Sequence, residues 1–265
     1  MRDGAVFFKK DSLVNIHFEE VVGDENNISF SPAFVAKAMQ VDDVIEIDFH
    51  SVSLRVVEVT SDCCRAVVLG DGQVGSNKAA ELNRDIGLPP ITPKDRGAIE
   101  IGKRLGVKHY ALSFASCMDD VNEFRALVGQ ENFIISKVES ISGLKNLDNI
   151  IDSSNAILID RGDLSRQVPI EKIPFFQRRI VSCARSKAKD VFVATNLLES
   201  MVVTKSPTRA EVNDIVSTQL MGATGLVLAA ETAIGKFPVE CVEMIRKLSA
   251  QCDLWTPNTS ISEML

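Results

Sequence analysis

The sequence predicts an α/β fold, a partial (β/α) barrel of about five βα units preceded by a small all-β domain. Three observations predict it. Residues 5 to 68 alternate apolar and polar with period two, as half-buried strands do. Residues 92 to 251 instead repeat a short apolar run followed by a helical pattern. Between the two regions lie dense turn signals, Gly70-Asp71-Gly72-Gln73-Val74-Gly75-Ser76-Asn77 and Gly87-Leu88-Pro89-Pro90.

In the first region the alternation is clearest in Val14 to Phe18, Val44 to Asp48 and Ser53 to Val59, broken by Gly, Asn and Ser clusters that suit an antiparallel arrangement. The boundary falls near Leu88, which divides the chain into 1–88, 89–252 and a C-terminal tail 253–265. After the boundary Thr92 reads as a helix N-cap with Pro93 at the first helical position, and Gly106 closes that helix. Strands are expected at His109 to Phe114, Phe133 to Val138, Ala156 to Asp160, Val191 to Thr195 and Gly225 to Ala229. Helices are expected at Met118 to Val128, Ile170 to Lys187, Arg209 to Met221 and Pro238 to Gln251. A closed barrel of this type takes about eight such units. Five leave the first and last strands with open edges, so an oligomer or a partner chain that completes the barrel is expected.

Composition narrows the functional classes. With 265 residues, a net charge of -7 and a pI near 5.1, the chain has ample core material and no basic face for nucleic acid. No apolar run approaches the roughly 20 residues of a membrane-spanning helix, so no membrane partner is expected. The six cysteines show neither metal spacing nor a Cys/His cluster and read as reduced thiols. Met1-Arg2-Asp3-Gly4 starts no signal or transit pattern, and the expected compartment is cytoplasmic, with an organelle left open.

Chemistry concentrates at the carboxyl ends of the predicted strands, where α/β folds place their sites. On a strand, Lys137 and Glu139 share a face, so opposite charges meet at its end; a plain structural ion pair explains the two taken alone equally well. Arg161-Gly162-Asp163 follows a wholly apolar run. Gly162 allows close backbone approach, a short helix starting there would aim N–H groups at an anion, and Asp163 could share a hard cation with Glu139. Thr195 ends the next strand, either as a helix cap or as a hydroxyl that holds a proton or a water. Thr208 and Glu211 have capping-box spacing, which accounts for them fully.

Taken in order, Ile134-Ile135-Ser136-Lys137-Val138-Glu139, Asp160-Arg161-Gly162-Asp163-Leu164, Ala194-Thr195-Asn196-Leu197-Leu198-Glu199-Ser200-Met201, Pro207-Thr208-Arg209-Ala210-Glu211-Val212 and Ala230-Glu231-Thr232-Ala233 resemble pyruvate kinase. The likeness runs over nearly the whole chain. Val41 to Pro90 resembles the family's small β-barrel lid domain, and Gly106 to Gln251 the later part of its TIM-type catalytic barrel. The resemblance implies transfer of a phosphoryl group from phosphoenolpyruvate to ADP, giving pyruvate and ATP in glycolysis, with Mg²⁺ and K⁺. It implies Glu139 and Asp163 as Mg²⁺ ligands and Lys137 as the group that stabilises charge on the phosphoryl and the enolate. It places the substrate carboxylate at the backbone of Gly162 and Asp163, and gives Thr195 a part in substrate binding and in protonation of the enolate. Arg161 is expected to be structural, paired with Glu199 or Glu231, and Glu231 is expected to be structural too.

Several positions depart from the family pattern. The βα units that precede the lid in the family, with their phosphate-binding residues and most K⁺ ligands, and its C-terminal regulatory domain have no counterpart in these residues. Where the family has Asp-Asp-Gly the chain reads Asp48-Phe49-His50, so an acidic lid contact becomes aromatic. Glu81-Leu82-Asn83-Arg84-Asp85 replaces Asn-Leu-Pro-Gly, and Ala115-Ser116 stands where a basic residue is usual. Ser165 replaces a Gly and requires a negative φ. Two expectations therefore stand, a phosphotransferase that is incomplete as this chain, and a catalytically silent relative acting as a binding or assembly subunit.

Overall fold

The computed structural model describes residues 1–265 apart from 2, 3, 49, 50, 85, 88 and 265. Phe49, His50 and Asp85, at positions expected to depart from the family pattern, and Leu88, at the expected boundary, lie outside the described residues. The chain divides into two compact units, Met1–Pro89 and Pro90–Leu265.

The first unit holds strands β1 (Ala5–Phe8), β2 (Leu13–His17), β3 (Asn27–Ser29), β4 (Val44–Ile47), β5 (Val52–Val59), β6 (Cys63–Val68), β7 (Gly72–Gly75) and β8 (Ala80–Leu82), with a short helix α1 (Phe34–Lys37). Six of them form one sheet in the order β3-β2-β6-β5-β4-β8, and β1 pairs with β7. Pairing is antiparallel except between β2 and β3. Period two does the packing: Val14, Ile16, Ile45, Ile47, Leu54, Val56, Cys64, Ala66 and Val68 all enter one core. In β5 the alternation fails after Val56, where the β5–β6 register shifts and Glu58, due on the inward face, is exposed along with Val57 and Val59. The stretch read as a turn, residues 70–77, contains the strand β7. Gly72 is there because a Cβ at that position would lie 1.8 Å from Ser51 O, so the residue serves close backbone approach and not a turn.

The second unit runs α2 (Pro93–Arg104), β9 (His109–Leu112), α3 (Met118–Val128), β10 (Phe133–Val138), α4 (Ile141–Lys145), α5 (Leu147–Ser153), β11 (Ala156–Asp160), α6 (Arg161–Gln167), α7 (Ile173–Ser186), β12 (Asp190–Ala194), α8 (Arg209–Met221), β13 (Gly225–Val227), α9 (Ala230–Ala233), α10 (Pro238–Leu254) and α11 (Ile261–Met264). The five strands form one parallel sheet in chain order, with β11 central and every residue of β11 buried. This is the partial barrel of an α/β fold. Thr92 and Asp95 form a capping box at the start of α2, and Thr208 and Glu211 form another at the start of α8.

Boundaries differ from the expectation where the backbone turns. β9 stops at Leu112 because Phe114 has φ 52°, and β12 stops at Ala194 because Thr195 and Asn196 have φ 70° and 54°. β13 ends at Val227, two residues before Ala229. Ile170–Lys172 is a separate 3₁₀ turn, so α7 starts at Ile173. The region read as a tail carries α11. The cysteines are free thiols, and no helix among the described residues is long and apolar enough to cross a membrane.

Candidate active site

The carboxyl ends of β10, β11 and β12 bring the predicted residues together. β10 and β11 pair with Lys137 opposite Leu158 and Val138 opposite Ile159, so Glu139 and Asp160 leave the sheet side by side. Lys137 Nζ lies 2.8 Å from Glu139 Oε2 and 3.1 Å from Asp160 Oδ2. The same-face prediction for Lys137 and Glu139 corresponds to this contact. Glu139 is fully buried, and its other oxygen accepts the backbone N–H of Phe114 at 2.6 Å. That bond helps to hold Phe114 in a left-handed conformation that costs a bulky residue about 1–2 kcal/mol.

Burial works against the Lys137 ammonium, yet Glu139 and Asp160 outweigh it and raise its pKa, so the amine stays charged. Burial raises the Glu139 carboxyl, and Lys137 and the Phe114 amide offset this only in part. A buried carboxylate oxygen whose only partner among the described residues is an ammonium suits a cation ligand. One oxygen each from Glu139, Asp160 and Asp163 lie within 4.8 Å of one another, a hard-donor set of the kind Mg²⁺ takes. The residues present therefore fit a divalent metal.

Helix α6 starts directly at the end of β11, with Asp160 as its N-cap. Thr195, on the neighbouring strand end, accepts the Gly162 N–H at 2.8 Å and donates to Ala194 O at 2.6 Å through the same hydroxyl. Thr195 thus caps α6 across the sheet; it is not the N-cap of a helix of its own. Asp163 also lies 3.6 Å from Arg166 Nε. Ser165 sits inside α6, where φ is negative, and its hydroxyl donates to Gly162 O at 2.7 Å, which satisfies the condition its replacement of Gly imposed.

Arg161 is structural, but not through the expected partners. Its Nη1 pairs with Asp214 at 2.7 Å and its Nη2 donates to Thr195 O at 2.6 Å, because α6 turns the side chain toward α8. Glu231 is buried and accepts the backbone N–H groups of Leu198 and Ala229 at 3.0 and 2.8 Å, so it ties loops together as expected. Asp160 was missed as a site residue. Its signal was present, a carboxylate ending an apolar strand, but that position reads first as a helix cap.

Comparison with known proteins identifies the family. Residues 1–242 match the family model described as the barrel domain of pyruvate kinase. The pyruvate kinase of Thermotoga maritima is 32% identical over 252 residues, 94% of this chain and 54% of that protein. A pyruvate kinase of Agrobacterium vitis is 38% identical over 80% of this chain and 45% of its own length, and the plastidial pyruvate kinase 3 of Arabidopsis thaliana is 32% identical over 95% and 45%. A crystal structure of a pyruvate kinase from Cryptosporidium parvum superposes with a TM-score of 0.80 at 30% identity, covering 96% of this chain and 54% of that one. The chain spans about half the length of the relatives it matches. On the family model and the relatives together, the chain belongs to the pyruvate kinase family.

Proposed function

We propose that this chain carries the phosphoryl-transfer centre of a pyruvate kinase, acting on phosphoenolpyruvate and ADP. The observation that carries the reading is Lys137 Nζ held between two carboxylates beside the first turn of α6. In the reaction the bond from phosphorus to the enol oxygen breaks, a bond to a terminal oxygen of ADP forms, and the enolate left behind takes a proton at carbon. Lys137 supplies positive charge to the phosphoryl in transit and to the enolate, in chemistry that depends on positioning and electrostatics. Mg²⁺, held by Glu139 and Asp163, would neutralise the substrate oxygens; K⁺ is an expectation of the family alone. The backbone at Gly162 and Asp163 is the expected seat of the substrate carboxylate, which would take over these N–H groups from Thr195 Oγ1 and Asp160 Oδ1. Thr195 shapes the same pocket and orders the proton delivery, giving up its bond to Ala194 O as it does so. Compartment follows the same reading, cytoplasmic by default, although two of the relatives are chloroplastic.

A lactate dehydrogenase-coupled assay with phosphoenolpyruvate, ADP, Mg²⁺ and K⁺ tests this. Turnover that drops by about 10² or more in Lys137→Met and Asp163→Ala supports it. Folded protein with no turnover above those two variants would overturn catalysis and leave the silent binding relative, the reading that Phe49 in place of an acidic lid residue favours.

A further inference from the structure

Beyond its place in the donor set with Glu139 and Asp163, Asp160 touches both halves of the site. Its Oδ2 lies 3.1 Å from Lys137 Nζ, while its Oδ1 accepts the Asp163 N–H at 3.4 Å as the N-cap of α6. One carboxylate therefore joins the ammonium of β10 to the helix start that carries Gly162 and Asp163. The side chain is almost wholly buried and grows from the central strand, so it is a rigid link.

Lysine has a long flexible stem with several rotatable bonds. Glu139 alone would let Nζ swing about a single contact; a second contact from the neighbouring strand fixes its direction. Glu139 cannot make the second link, because its other oxygen is committed to the Phe114 N–H. We propose that Asp160 is a positioning residue, holding Lys137 in register with the substrate-binding turn of α6. This rests on the phosphoryl-transfer reading above.

The two oxygens make the idea testable. An Asn or Ser at 160 still caps α6, because both are good N-cap residues. Each has only one oxygen in place of the two that Asp160 uses, Oδ1 for the cap and Oδ2 for Lys137, and neither keeps the negative charge, so the hold on Lys137 is weakened while the cap is kept. Phosphoenolpyruvate is titrated calorimetrically, with Mg²⁺ present, into the full chain and into Asp160→Asn, Asp160→Ser, Lys137→Met and the double variant Asp160→Asn/Lys137→Met. The melting midpoint of each variant reports folding. The expected result is about tenfold weaker binding in both Asp160 variants, and a double variant no weaker than Lys137→Met alone. Losses that multiply in the double variant, or unchanged binding in Asp160→Asn and Asp160→Ser, would overturn the proposal. Folded wild-type chain that does not bind phosphoenolpyruvate overturns the phosphoryl-transfer reading itself, and this inference falls with it.

Discussion

Thr195 carries more of the site than a strand-end hydroxyl would suggest. Its φ of 70° is uncommon for a β-branched residue, and one oxygen bridges the Gly162 N–H and Ala194 O. Thr195→Ala strips the Gly162 amide of its acceptor and should lower stability by about 1 kcal/mol in denaturant titration. Thr195→Ser keeps the oxygen and should stay within a few tenths of a kcal/mol of the wild type; equal losses in both would show that the bond contributes nothing. Lys137 and Glu139 were legible because strand period alone put them on one face. Asp160 was not, because its role depends on Lys137 arriving from a separate strand across a parallel register. The Arg161 partner was misjudged for a related reason: Asp214 lies 53 positions away, and only the path of α8 brings it within 2.7 Å.

At the scale of elements, the loop after β12 is secured by Glu211. Its carboxylate accepts from Ser200 N at 2.7 Å, from Ser200 Oγ at 2.6 Å and from Thr208 N at 2.7 Å, so one side chain joins the α8 start to the turn at 199–202. Burial pushes this carboxyl up, but the bonds from Ser200 and Thr208 outweigh it and hold its pKa below the ordinary value. For a carboxyl lowered on folding, the stabilisation is complete above the unfolded pKa and is lost as pH falls through the folded one. The wild-type melting midpoint should therefore fall below the ordinary carboxylate range, and Glu211→Gln should be less stable at neutral pH with a flatter acid limb. Parallel acid limbs for the two proteins would remove Glu211 from that account. Thr208→Ala should cost about 1 kcal/mol by loss of the cap. The Thr208–Glu211 capping box and Thr92 as an N-cap were legible from spacing, as were the five strands, because apolar runs bounded by turns fix element type. Strand ends were less so: Phe114 and Thr195 look like strand residues, and only tertiary bonds hold them at positive φ. The strand β7 was hidden because glycine signals a turn and a close approach in the same way.

For the molecule as a whole, the open sheet of the second unit governs solution behaviour. β9 and β13 each pair on one side only among the described residues, and parallel edges of this kind are templates for association. Apolar side chains lie on elements next in sequence to both strands: Leu105, after α2, is 77% exposed, and Ile234, after α9, is 79% exposed. These two are the most exposed of the large apolar residues described, and covering them would add apolar burial to any association at the edges. Opposing them, every copy carries a net charge of -7, and like-charged copies repel over a distance that salt shortens. The balance sets the sign of the salt effect: association should strengthen as salt rises, because screening removes the repulsion and leaves the apolar attraction intact. Sedimentation velocity over a concentration series at low and high salt measures this directly. Leu105→Lys and Ile234→Lys, at positions too exposed to disturb the core, should each move the chain toward monomer. A monodisperse monomer at every concentration and salt, melting in one cooperative step, would show instead that the sheet edges are already protected within a single chain.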